Sequence, residues 1–272
     1  MKKILAGILL ALLCLHDAAI QAARTFGGAS TDRIALSTYV TNHATTTWSI
    51  WSYRTGDGGG SFGRMWFKGS TAFDGRLYTT TTKYFFDRES STSDGTWSIT
   101  RPSASVWHHI LVTYDSGALG NDPAIYLDGT SQTLQDNTNP TGTISNNSEA
   151  YTIGNFLNGG SPSQNWAGSL SEFAVWDVIL NQGEITALAR GISPMNIRLA
   201  NLKCFIPITG IHTTEPDYSS ATTKSIGTVT GATLTAHNPP VQSVFWNFGE
   251  SQNDVTSDTS AVPFIFLHRR RN

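Results

Sequence analysis

The stretch VWHHILVTYDSGALGNDPAIYLDGT, Val106 to Thr130, decides how this chain is read. Two histidines follow a tryptophan, and an alternating apolar run follows them. On a strand from Trp107 to Asp115 the side chains alternate between faces. His108, Ile110, Val112 and Tyr114 then share one face; Trp107, His109, Leu111 and Thr113 share the other. The two histidines diverge, so regular strand geometry forbids them from chelating one ion together. No other His or Cys sits at metal spacing. The pair therefore reads as hydrogen-bonded structural histidines at a strand start. Ser116 to Pro123 is a loop, AIYLDGT is a second strand, and Asp128-Gly129 begins the next turn. Apolar residues on both faces predict a central strand rather than an edge.

Outward from this hairpin, short apolar or alternating runs recur: TWSIWSY, RMWFKG, GRLYTTTTKYFF, TWSIT, AYTIGNF, SLSEFAVWDVIL and NLKCFIPI. Turn-formers separate them, in GDGGG, GNDP, DNTNPTG and NGGSPS. Many short strands at this spacing predict an all-β sandwich or barrel. Alternating strand and helix units are absent, which excludes a doubly wound nucleotide-binding fold. One helix is legible, near residues 182–190. Asn181 caps it, and Glu184 is the reciprocal partner. Ile185, Leu188 and Ala189 share a face; Gly191 suits the left-handed position after the helix, and Pro194 follows. Composition agrees: 14% of the 272 residues are charged and 11% aromatic, with 25 glycines and eight tryptophans. A net charge of −2 lacks the basic face that nucleic acid requires.

The two ends read differently. Residues 1–22 have the form of a secretory signal peptide: Lys2 and Lys3, an apolar run from Ile4 to Leu15, and small residues at Ala22 and Ala23. The alternative is an uncleaved extension or an early start codon. The apolar run is shorter than the roughly 20 residues a membrane span needs. Leu13 before Cys14 argues against lipidation there. Cys204, the one cysteine left after cleavage, admits no intrachain disulfide and reads as a buried hydrophobe. Residues 242–272 form a tail in which the pattern degrades; its VPFIFL run is too short to span, and Arg269 to Arg271 read as a solvated terminus.

WHHILVTYD followed by PAIYLDG resembles the central hairpin of laminin-G-like, concanavalin A-like jelly-roll domains. RTFGGASTDRIAL resembles their opening strand, TWSIWSY their second core strand, and WAGSLSEFAVWDVILNQGEITALARGISP their Gly-x-Leu-x-Glu strand and following helix. The resemblance runs from about Arg24 to Val241, also suits single-domain versions in phage and environmental bacterial sequences, and implies a two-sheet antiparallel jelly roll over 23–241. Hydrolases of the superfamily carry Glu-x-Asp-x-Glu along one strand, with the catalytic carboxylates about 5 Å apart. That pattern is absent, as is a Gly-x-Ser-x-Gly elbow. Glu172 and Asp177 are spaced for opposite faces of a regular strand. Related domains often bind calcium at the rim, which makes Asp32, Asn121 and Asp122 candidate ligands; the competing reading is turn chemistry. Trp166 is a candidate rim aromatic for stacking on a sugar. The expectation is a secreted or virion-associated, non-catalytic module that binds a glycan or adhesion ligand through rim loops, with calcium as the candidate ion. A structural decoration module of a phage particle is the alternative, and a divergent glycoside hydrolase a further one.

Overall fold

A computed structural model describes residues 22–237, except 28, 39–43, 70–72, 146–147, 159–160 and 211–212. The expected leader therefore lies outside the described residues, apart from Ala22, which opens the first strand. The tail 242–272 lies wholly outside them. Among the described residues no helix is long and apolar enough to cross a membrane.

Strands are numbered along the chain. The first sheet runs β10 (Thr130–Ser131), β9 (Ala124–Leu127), β8 (Trp107–Asp115), β3 (Thr45–Arg54), β15 (Gly168–Trp176), β1 (Ala22–Phe26) and β19 (Thr233–Ala236), with β16 (Leu202–Ile206) also on β15. The second runs β11 (Asp136–Thr138), β7 (Gly95–Thr100), β6 (Lys83–Arg88), β5 (Phe73–Thr79), β4 (Arg64–Gly69), β12 (Tyr151–Ile153), β2 (Arg33–Leu36), β18 (Ile226–Thr230) and β17 (Thr214–Pro216). A small hairpin pairs β13 (Leu157–Asn158) with β14 (Ser161–Pro162). The long pairings are antiparallel, and the architecture is the expected jelly-roll sandwich.

The period-2 pattern places the core. Trp48, Trp66, Phe86, Trp97, Tyr151 and Phe173 meet between the sheets. Trp48 stacks on Trp66 at 5.5 Å and donates its indole N–H to the Tyr151 hydroxyl at 2.8 Å. A smaller cluster of Leu111, Trp176, Leu180, Ile185 and Leu188 fills the space under helix α1 (Gln182–Ala189). Strand β8 thus contributes to both: Ile110 and Val112 to the main core, Leu111 to the other. It lies between β3 and β9, covered on both faces as its sequence predicts.

Local signals act where expected. Both bonds of the capping box between Asn181 and Glu184 form. Asp128 and Gly129 have φ of 50° and 78°, the left-handed pair of a tight hairpin turn, and Gly129 packs on Ala189 of the helix. One run is split. GRLYTTTTKYFF is not a single strand but the hairpin β5–β6, turning at Thr80–Thr82. Threonine is itself a strand former, so the run carries no break signal. Thr80 closes the turn by accepting the Lys83 N–H on its hydroxyl at 3.2 Å.

Two charge networks are interior. Asp74 takes Lys68 at 2.5 Å and Arg88 at 2.8 Å. Glu215 takes Arg24 at 2.5 Å and the backbone N–H groups of Thr209 and Gly210. This second pair joins β1 of one sheet to β17 of the other.

Candidate functional site

The face of the second sheet turned away from the core carries the strongest concentration of unsatisfied chemistry. Alternation along β5 sends Leu77 inward and Arg76 and Tyr78 outward; along β6 it sends Phe86 inward and Phe85 and Asp87 outward. Strand β4 would break this pattern without its irregularity between Arg64 and Trp66. A bulge there buries both Met65 and Trp66 in the core and re-aims Arg64 outward, opposite Tyr78. The loop before β4 supplies Phe62. Gly58, at φ 77°, lets that loop lie against the Asn165 carbonyl, which a Cβ would meet at 2.4 Å. The sequence GDGGG therefore positions an aromatic ring.

These residues form one platform. The Arg64 guanidinium carbon lies 4.1 Å from the Tyr78 ring centre and 5.8 Å from that of Phe156. Arg76 lies 5.3 Å from the same Tyr78 ring, and its Nε donates to Asp87 at 2.7 Å. Phe85 stacks on Tyr78 at 5.3 Å, and Phe62 lies at 6.2 Å. Phe62 is 43% exposed, whereas Arg64 is 4% and Asp87 1%. Arg64 Nε and Nη1 and Asp87 Oδ1 are closed to solvent and make no close hydrogen bond, although the Tyr78 side chain lies near enough to interact with both residues. Buried polar atoms are normally paired, and an orphaned one is costly. Burial, reinforced by Arg76, pulls the Arg64 guanidinium down to about 9. Burial pushes Tyr78 up to about 12 and raises the Asp87 carboxyl against the pull of Arg76. The face sets two guanidinium groups, Arg64 and Arg76, beside one carboxyl group, Asp87. Its neighbour Lys83 is settled on Asp136 at 2.6 Å.

The residues singled out from the sequence lie elsewhere. Trp166 is fully buried and packs toward Tyr84 at 6.4 Å; it belongs to the core and presents no ring at a rim. Asp32 is buried against the turn at Gly231, where a Cβ would stand 1.9 Å from its Oδ1. Asp122 accepts from Trp97 at 3.1 Å and Asn137 at 2.8 Å, while Asn121 donates to the Asp115 carbonyl. These are two separate networks with the character of turn chemistry, and they do not form a cation cage. Among the described residues no three His, Cys, Asp or Glu side chains group as metal ligands. His109 hydrogen-bonds Ser49 at 2.8 Å and His108 bonds Asp128 at 2.7 Å, on opposite sides of β8.

Glu172 and Asp177 do not follow the parity of a regular strand. Strand β15 is bulged between Ser171 and Ala174, and Glu172 sits there at φ 53°. It is therefore not part of a regular alternation. Asp177 is bound to Asn201 at 2.8 Å and Lys203 at 3.0 Å. Burial raises the Glu172 carboxyl to about 7. Sequence reading missed the platform itself. Its signal was present in Arg-Leu-Tyr and Phe-Phe-Asp, two alternating triplets whose outward members are aromatic or charged.

A protein from Bacteroides ovatus, proposed to bind carbohydrate, matches this fold at 18% identity with a TM-score of 0.60, over 82% of this chain. The chain spans 62% of that protein's length. The heptameric SAP-like pentraxin of Limulus polyphemus matches at 13% identity and a TM-score of 0.51, over 78% of this chain and 97% of its own. No curated protein sequence matches significantly. A family model described as the concanavalin A-like lectin/glucanases superfamily matches residues 26–186. With that match lying on the two-sheet sandwich just described, the chain belongs to the concanavalin A-like lectin/glucanase superfamily.

Proposed function

We propose that this is a non-catalytic saccharide-binding module whose binding surface is the outer face of the second sheet, not the rim loops. The observation that carries the reading is the group on this face that solvent reaches: Phe62, 43% exposed, and the partly exposed Phe85 and Arg76, all packed around the Tyr78 ring. Aromatic faces stack on the apolar faces of sugar rings, and fixed polar groups between them take hydroxyls. The carbohydrate binding proposed for the Bacteroides ovatus protein agrees with this. Absence of a paired carboxylate motif supports a binder rather than a hydrolase. Export through a leader over residues 1–22 belongs to the same reading.

A glycan array on the full chain tests it, followed by titration of a positive ligand. Phe62→Ala, at an exposed position, is expected to weaken binding about tenfold or more, the loss typical of a hot-spot ring. Binding unchanged by both Phe62→Ala and Arg76→Ala would remove the platform from the function. Release of reducing ends that disappears on Glu172→Gln would overturn the non-catalytic reading. Particle assembly with no saccharide bound would move the function to a structural module.

A further inference from the structure

We infer that His237 is an acid-operated latch, which holds strand β19 on the edge of the first sheet at neutral pH and lets it go on acidification. The strand itself is weakly held. It is four residues long, and among the described residues it pairs only with β1. None of Thr233, Leu234, Thr235 and Ala236 is buried, and Leu234 is 60% exposed. Anchors stand at its two ends. At the first, Ala232 is buried and its carbonyl accepts from Arg24 at 2.9 Å, beside the left-handed turn at Gly231. At the second, His237 is 2% exposed. A strand with no buried side chain of its own gains little from the hydrophobic effect, so its far end depends on that imidazole.

The imidazole reaches across the sheet. Strands β1 and β15 separate β19 from β3, yet the His237 ring lies 4.3 Å from that of Trp107 on β8 and 5.9 Å from that of Trp51 on β3. Both tryptophans are on the outer face. The outward side chains of the strands between are small: Ser169 and Ser171 on β15, Ala23 and Thr25 on β1. The seat suits a neutral ring. Strand β3 presents Ser49, Trp51 and Tyr53 there, and β8 presents Trp107 and His109; none is a carboxylate. Asp128, the acid next to this cluster, acts on His109 and not on His237. Burial alone pulls the His237 imidazole down to about 3. A charge in such a seat loses its hydration, and the Trp107 ring returns only part of that loss as a cation–π contact. Out in water the imidazole recovers its ordinary value of 6.5 and takes a proton. The released form binds a proton that the latched form excludes, so release gains as pH falls below about 6.5 and goes on gaining down to about 3. His109, held down to about 4 and bonded to Ser49 on a central strand, titrates below the upper part of that window.

Hydrogen exchange read by mass spectrometry on the full chain, at about pH 7.5 and about pH 5.5, tests the latch, with labelling times scaled to the intrinsic exchange rates. The expected result is that a peptide covering β19 opens about tenfold more at the lower pH, the change that one proton gives over one unit below its ordinary value, while a peptide from β8 keeps its protection. His237→Phe keeps a ring in the seat and removes the proton site; β19 is then expected to be protected equally at the two pH values. Trp107→Ala, which opens the seat from the other side, is expected to loosen β19 at both, and it serves if the first variant fails to fold. Equal protection of β19 at the two pH values in the unsubstituted protein would overturn the inference. So would a parallel loss in β8, which would mark general acid unfolding, or an acid response that survives His237→Phe. Full protection of β19 in Trp107→Ala would show that the ring contact is not its anchor.

Discussion

Glu172 shows how much one residue's surroundings change its chemistry. It occupies a bulge at φ 53°, where its backbone N–H donates to the Pro207 carbonyl at 3.0 Å. Burial lifts its carboxyl from 4.5 to about 7. The folded state then holds a proton that the unfolded chain has already released. Stability from this group falls as pH rises between about 4.5 and 7, because the folded state binds more protons in that window. Glu172→Gln should therefore stabilise the protein at pH 8, on the order of 1–2 kcal/mol, and change little at pH 4. Urea unfolding at both pH values checks it; an equal effect at the two would mean that the charge is not the cause. Trp166 teaches a related lesson. Its residue type is right for a sugar platform, but the fold places it in the core.

At the scale of an element, β8 carries two kinds of residue with different expected costs. Ile110 is fully buried in the main core. Ile110→Ala should cost about 2–5 kcal/mol, as for a cavity left in a close-packed interior. His108 pairs with Asp128, whose side chain is 47% exposed. His108→Gln should cost under about 1 kcal/mol, since a solvent-exposed pair contributes little. Thermal melts of the two variants side by side decide the matter; comparable losses would mean that the histidine is structural to the same degree as the core. Both assignments were legible in the sequence, because alternation along an extended chain is a local property. The β5–β6 turn was not legible, because its four threonines suit a strand as well as a turn.

At the scale of the molecule, the two sheets are joined by more than apolar contact. Arg24 on β1 and Glu215 on β17 form a buried pair across the sandwich. Forming such a pair need not stabilise a protein, but breaking one leaves an uncompensated interior charge. Glu215→Gln should cost about 3–5 kcal/mol. Chemical denaturation would show it as a lower midpoint with an unchanged slope. A loss under about 1 kcal/mol would mean that Arg24 finds another acceptor. The Lys68–Asp74–Arg88 group is the second interior network, contained within the second sheet.

The sequence by itself determined the class of fold, the central hairpin, the direction of each side chain on β8, and the capped helix after β15. Each follows from short-range geometry: a two-residue strand period, a capping box three residues apart, and a left-handed Asp-Gly turn. Tertiary structure decided what lies together. The bulge at Met65 turned Arg64 outward, the bulge at Glu172 broke the parity of its strand, and packing drew Trp166 inside. It also brought Phe62, Arg64, Tyr78 and Asp87, contributed by a loop and three different strands, onto one face. No local period encodes such a meeting. It depends on strand order and register, which are settled by burial of the opposite face of the same sheet.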